Sequence, residues 1–239
     1  MDETTRKLLN KVSTATLTTV LFKRGFRNVF LQGLSALNPD AVRVVGPAYT
    51  LRYIPAREDL DPLDAFENPE HQQRKAIEEC PAGSVMVIDS RGDASAASAG
   101  NLLVTRLLTR GCAGIVTDGG FRDSPEIARL PIAAYHLRPS APTNLIRHHA
   151  VDRQLPIACG GVSVYPGDII VADGEGVVCI PQHLAEDVAR EAMIQTMYED
   201  WVDIKVRAGT PLPGLYPLLD EDLRNEYRAW ALEASPRYA

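Results

Sequence analysis

Three consecutive segments constrain the fold more tightly than any other feature of the chain. SVMVIDS (84–90) is an apolar run ending on polar residues, NLLVTRLLTR (101–110) carries leucines at helical spacing, and AGIVTD (113–118) is a second apolar run. A strand that is apolar on both faces is buried on both faces, which is the habit of parallel sheets covered by helices. The order therefore predicts a β-α-β unit, a connection that is almost always right-handed. Asn101 is expected to cap the helix and Gly111 to stop it. Open parallel sheets place ligands at the carboxyl ends of their strands. Two loops leave those ends here, SRGDASAASAG and GGFRDSPE, and the helix begins there too. The unpaired first-turn N–H groups around Leu102 and Leu103 thus face the same crevice, ready for a carboxylate or phosphate.

The second loop sets Arg122 beside Asp123 behind Gly119 and Gly120. Sequence neighbours point apart on a regular strand, so a simple ion pair explains the arrangement poorly. On an irregular turn both side chains can reach one crevice, and the two glycines are expected to permit that turn and to let a ligand approach the backbone.

Elsewhere the pattern is coarser. Residues 5–24 read as one amphipathic helix stopped by Gly25, and VRVVGPAYTLRYIP (42–55) reads as strand, Gly-Pro break, strand. The acidic stretch from 56 to 80 reads as an exposed loop and a short helix. Beyond 130, PIAAYH, LPIACGG, VSVYPG, DIIVADGEG and VVCIP predict an antiparallel layer, followed by a long helix over 185–209. The tail over 206–239, rich in Leu, Tyr and Trp, is expected to pack on a partner or a neighbouring subunit. With no repeat, low-complexity tract or linker, residues 1–239 are expected to form a single domain of the α/β class.

Composition excludes some functions. The chain is 45% hydrophobic and 23% charged, ordinary for a globular protein, and its net charge of -6 argues against nucleic-acid binding by phosphate neutralisation. No stretch approaches the roughly 18 apolar residues of a membrane span. The start, MDETTRKLLNKV, lacks the apolar middle of a signal peptide. Cys80, Cys112, Cys159 and Cys179 show no metal or redox spacing and read as buried thiols, which suits a reducing cytoplasm.

The run GNLLVTRLLTRGCAGIVTDGGFRD, followed by PGDIIVADGEGVVCIP, resembles the RraA-like family, which holds regulators of ribonuclease activity and divalent-metal-dependent 4-hydroxy-4-methyl-2-oxoglutarate aldolases. The resemblance runs from the N-terminal helix through GDIIVADGEGVV. It implies a swivelling β/β/α sandwich, assembled as a homotrimer or homohexamer with the active site at a subunit interface. It further implies that Asp123 binds Mg²⁺ or Mn²⁺ and that Arg122 contacts the ketone oxygen of a pyruvate moiety. The Gly100–Leu103 helix start, with the Leu102 and Leu103 amides, would hold the carboxylate, and Glu199 of the next subunit would lie near the metal. The aldolases carry aspartate where this chain has Asn101, and regulator branches can lack the aspartate that stands here at 123. The implied activity is a lyase acting on a small 2-oxo acid through a pyruvate enolate, as aldolase or oxaloacetate decarboxylase. A dehydratase of a sugar-derived 2-oxo acid and a non-catalytic regulator of a ribonuclease or helicase are the alternatives.

That chemistry needs few parts. Cleaving a C–C bond next to a 2-oxo acid leaves an enolate whose charge must be met by a Lewis acid and by preorganised positive groups. One carboxylate plus waters suits Mg²⁺, which keeps much of its hydration shell. Asn101 can hydrogen-bond a water but cannot take its proton, so the hydroxyl base for an aldol cleavage falls to a metal-held water or an acidic group of the neighbour. Glu126 reads either as an exposed first-turn glutamate or as a partner of Arg122. Asp89 and Asp93 read as solvated loop residues, His148 and His149 as ordinary helix or loop residues, His136 as a strand-end residue near Arg138 and a candidate for lining the pocket, and GDIIVADGEG as a hairpin rather than a phosphate loop.

Overall fold

The computed structural model describes residues 1–40 and 42–238. The axis of the molecule is the strand Val44–Pro55, which changes partners along its length. Val44–Pro47 pairs antiparallel with Ile169–Ala172, and Ala48–Arg52 pairs parallel with Val85–Asp89. The last residues pair on the other edge, antiparallel, with His148–Arg153. Gly46-Pro47 therefore does not break the strand. It marks the handover between partners, where a residue without an N–H is tolerated. Glycine is required at 46 because a Cβ there would meet the Gly83 carbonyl oxygen at 2.5 Å.

From this axis the sheet grows both ways. On one side Val85–Asp89, Gly114–Thr117 and Ala133–His136 are parallel, with Ser35–Ala36 antiparallel at the edge. The β-α-β unit is present as expected, with the helix Asn101–Thr109 as its crossover. PIAAYH belongs to this parallel part, contrary to its expected place in the antiparallel layer. On the other side the hairpin Ile169–Asp173/Gly176–Ile180 is antiparallel and carries Phe30–Leu31, so GDIIVADGEG is indeed a hairpin. Ile157–Cys159 and Val162–Val164 form a separate small hairpin.

The N-terminal region is two helices, not one: Glu3–Lys11 and Thr14–Lys23. Ser13 takes extended backbone angles between them and accepts the Thr16 N–H, starting the second helix afresh. Both pack against the long helix Ala185–Arg207. The tail forms a further helix, Glu221–Ala234, that folds back on that same long helix. Tyr227 meets Trp201 and Tyr198 with ring centroids 5.3 and 5.5 Å apart, so much of the tail's aromatic surface is covered within the chain. Leu219 and Leu232 stay exposed. All four cysteines are free and buried. Among the described residues no helix is long and apolar enough to cross a membrane.

A second, smaller sheet positions the candidate site. The loops leaving the parallel strands contain Ala97–Ala99, Gly120–Phe121 and Arg138–Pro139, which pair with one another in parallel register. The loop SRGDASAASAG is therefore partly a strand. Its small residues are needed because it is pressed against its neighbours: Ser90, Ser98 and Thr117 are fully buried, and the Ser98 hydroxyl lies 2.7 Å from both the Ser90 and the Thr117 hydroxyls.

Candidate active site

The minor sheet delivers two chain segments to one place. Ala97–Ala99 runs into the helix start at Gly100, and Gly120–Phe121 runs into Arg122 and Asp123. The Arg122 N–H donates to the Ala99 carbonyl at 3.1 Å, which fixes one segment against the other. Phe121 anchors the turn from below, with no exposed surface and its ring stacked 5.3 Å from that of His136. Burying such a ring is worth about 1.5–3 kcal/mol.

The left-handed residue in this turn is Asp123 itself, at φ 57° and ψ 35°. Aspartate is among the few non-glycine residues that visit this region, at a cost of about 1–2 kcal/mol. Gly119 and Gly120 serve packing rather than conformation. A Cβ at 119 would lie 2.3 Å from the Ser98 hydroxyl, and one at 120 would lie 2.6 Å from Ser140 Cβ.

Asp123 occupies the N-cap position of the short helix Ser124–Ile127, yet its side chain does not cap it. Instead Oδ2 accepts the Asn101 N–H at 3.3 Å and lies 3.7 Å from Arg122 Nε. Among the described residues Oδ1 has no hydrogen-bond donor. The Arg122–Asp123 contact joins two substantially exposed groups and contributes little to stability.

The helix start differs in detail from expectation. Gly100 is the cap, and Asn101 is the first helical residue, its side-chain oxygen accepting from Thr105 at 3.3 Å. The Leu103 amide turns back to the Gly100 carbonyl at 3.1 Å, and the Asn101 amide goes to Asp123, leaving the Leu102 amide as the open donor of the first turn. Gly100, Leu102, Leu103, Arg122 and Asp123 all line one cavity of about 280 Å³. A larger depression of about 770 Å³ lies around Phe22, Phe26 and Phe30, and none of the expected site residues reaches it.

Other expected residues fall elsewhere. Within the chain Glu199 does not line this cavity. Its carboxylate accepts from Thr16, Gln195 and Tyr216 at 3.2, 2.8 and 3.2 Å. Glu126 is an exposed first-turn residue. Asp89 is buried, not solvated, and accepts the Arg91 and Ala158 N–H groups, because its strand end is covered by the following loop. His148 and His149 are strand residues: His148 is fully buried and stacked on Tyr53, and His149 bonds Asp61 at 2.8 Å. His136 is buried under the minor sheet, and burial lowers its pKa.

Sequence reasoning overlooked two groups. Asp118, at the end of AGIVTD, is buried and accepts backbone N–H groups from Ser90, Gly92 and Gly160, so one carboxylate gathers two loops onto its own strand end. Burial raises its pKa despite those bonds. The rest of the cavity lining includes Phe66, Gln73, Arg74, Thr143 and Asn144. The acidic segment from 56 to 80 is thus a cavity wall, and the helix Gln72–Glu79 has the buried residues Gln73, Ala76 and Ile77 that could have signalled it.

The donor set fits a hydrated divalent cation. One carboxylate with an oxygen left open is the modest protein contribution Mg²⁺ accepts, and among the described residues no cluster of three or more His, Cys, Asp or Glu offers a full protein cage.

The model of the RraA-like family, described as Aldolase/RraA, matches residues 14–179. The chain belongs to this family. Among its relatives, a putative 4-hydroxy-4-methyl-2-oxoglutarate aldolase of Halalkalibacterium halodurans is 34% identical over 63% of this chain and 65% of its own. Protein DlpA of Legionella pneumophila is 30% identical over 75% of this chain, which spans only 28% of DlpA. A Streptomyces coelicolor structure, described as an unusual member of the RNase ES inhibitor RraA protein family, superposes with a TM-score of 0.75 at 31% identity. That match covers 84% of this chain and 96% of the other. The RraA-like fold seen here is thus the mixed α/β single domain of that structure.

Proposed function

We propose that this RraA-like chain is a divalent-metal-dependent lyase that cleaves a C–C bond of a 2-oxo acid to release pyruvate. The observation that carries the reading is the meeting of Arg122, the open Asp123 oxygen and the open Leu102 amide in one small cavity. The aldolase relatives supply the reaction class.

Asp123 would hold Mg²⁺ or Mn²⁺, which when bound supplies Lewis acidity toward the 2-oxo acid. The chain's own groups do the rest. The substrate carboxylate docks at the helix start, where the Leu102 N–H donates to it. Arg122 donates to the ketone oxygen, whose charge grows as the C3–C4 electron pair moves onto C3 and the enolate forms. In decarboxylation of oxaloacetate that bond breaks with loss of CO₂, and C3 is then protonated. In aldol cleavage the C4 hydroxyl must also lose its proton as C4 becomes a carbonyl. Asn101 cannot accept that proton, so decarboxylation is the reaction best matched to this chain. Glu199 of a neighbouring copy in a trimer or hexamer would supply the acidic group the aldol reaction needs.

The test is pyruvate release from oxaloacetate and from 4-hydroxy-2-oxo acids with Mg²⁺ or Mn²⁺, with and without chelator. Chelator-sensitive turnover that Arg122→Ala abolishes in a folded protein is expected. If neither substrate turns over and the chain captures a ribonuclease equally well with Asp123→Ala, it is a regulator instead.

A further inference from the structure

Two of the four buried thiols meet at the C-terminal ends of two helices whose first turns line the cavity. The helix Gln72–Glu79 supplies Gln73 and Arg74 to the lining and ends at Cys80, whose N–H closes on the Ala76 carbonyl at 3.0 Å. The helix Asn101–Thr109 supplies Leu102 and Leu103, and the Cys112 N–H returns to its Leu107 carbonyl at 3.0 Å. The segments that follow the two helices are zipped together, Gly83 N–H to the Gly111 carbonyl and Ala113 N–H to the Ser84 carbonyl, both at 2.8 Å. Cys112 Sγ lies 3.6 Å from the Cys80 carbonyl oxygen, and the Cys80 thiol donates to the Cys112 sulfur.

Cys159 and Cys179 are neighbours too, but their surroundings are the electrostatic opposite. Cys159 faces Asp118 and Asp89, and Cys179 donates to Asp168 at 3.7 Å, so burial and carboxylates hold both thiols neutral. The charge beside the first pair is that of Arg110, which lies 3.7 Å from a Glu78 carboxylate already shared with Arg106. Donation from Cys80 and the field of Arg110 lower the pKa of Cys112, while that of Cys80 is raised. A thiol beside an arginine is the kind that reacts as thiolate. Cys112 also keeps 6% of its surface exposed, where Cys80 has none.

We propose that Cys80 and Cys112 are an oxidation site, a thiol pair that hydrogen peroxide converts into a reversible disulfide joining the two cavity-lining helices. The Cys112 thiolate attacks one peroxide oxygen, the O–O bond breaks, and the other oxygen takes a proton and leaves as water. Cys112 is then a sulfenic acid. Cys80 gives up its proton and attacks the Cys112 sulfur, the S–O bond breaks, and the hydroxyl leaves with that proton as a second water. The two thiols lose two electrons between them and the peroxide gains them. No step uses substrate or metal, so the site is independent of the lyase reading.

The test is hydrogen peroxide treatment of the whole protein, then alkylation in denaturant and peptide mapping without reductant. The wild type should yield one linked peptide pair carrying residues 80 and 112, lost on adding dithiothreitol, with Cys159 and Cys179 alkylated as free thiols. Cys80→Ser removes the second nucleophile, so a sulfenic acid should persist on Cys112 and be trapped by dimedone. Cys112→Ser should give about tenfold less dimedone adduct on Cys80, the thiol with the raised pKa. A wild type whose Cys80 and Cys112 both stay free, or that links Cys159 to Cys179 instead, overturns the proposal. Dimedone labelling of Cys80 equal to that of Cys112 overturns the order of attack.

Discussion

A Cβ on Gly100 would lie 2.7 Å from Arg122 Cγ and 3.0 Å from Asp123 Oδ2. The helix start and the Arg-Asp turn approach so closely that only a residue without a side chain fits between them. Gly100→Ala should therefore leave the fold intact but push Arg122 off its station. Since a displacement of about 1 Å can cost about 10²-fold in rate, kcat for pyruvate release should fall by that order, with the circular-dichroism spectrum unchanged.

Asp123 combines a left-handed backbone with a carboxylate oxygen, Oδ1, that has no donor among the described residues. Asparagine tolerates the same backbone, so Asp123→Asn should shift the unfolding free energy by less than about 0.5 kcal/mol. It should also abolish Mg²⁺ binding in a calorimetric titration and the chelator-sensitive activity. Retained magnesium binding would remove Asp123 from the metal site.

Asp118 ties two loops to its own strand end from a buried position, and Asp118→Ala leaves three backbone donors without it. The loss should be about 2–4 kcal/mol in a urea melt, given about 1–3 kcal/mol for each stranded buried donor and partial rescue by water. The pKa of Asp118 is raised in the folded state, so folding binds a proton in the interval above the ordinary value of 3.8. Its contribution is therefore fully present below that value and declines as pH rises through the folded pKa. The stability gap between wild type and Asp118→Ala should accordingly widen as pH falls from neutrality toward 4.

His136 is stacked on Phe121 with Nδ1 buried and without a partner among the described residues, and burial lowers its pKa from 6.5. A lowered histidine pKa means the unfolded chain takes up the proton first, so stability is lost as pH drops below 6.5. His136→Phe keeps the stacking and removes the orphaned nitrogen. It should stabilise the protein by about 1 kcal/mol at neutral pH, and by more at pH 5, as read from denaturant midpoints.

The β-α-β unit and the Arg122–Asp123 turn were legible because both rest on local signals, apolar runs of strand length and a Gly-flanked loop at a strand end. The same local reading split Val44–Pro55 at Gly46-Pro47, since a change of partner looks like a break to a rule that sees one strand at a time. It merged two N-terminal helices because the apolar spacing continues across Ser13, whose capping role shows only in the backbone. Asp118 escaped notice because a strand-end aspartate looks solvent-facing until two distant loops are folded over it. Arg74 and Asn144 lie far from the loops at the strand ends, and only tertiary packing brings them to the same cavity.

The minor sheet has a further consequence. Its three short strands leave three different turns of the main sheet, yet each is hydrogen-bonded to the next, so a displacement of one is transmitted to the others. Remodelling specificity by transplanting the Arg122 loop alone would set the graft against two unmatched neighbours. Residues 97–99, 120–121 and 138–139 form a cassette, and directed evolution of this scaffold should exchange them together.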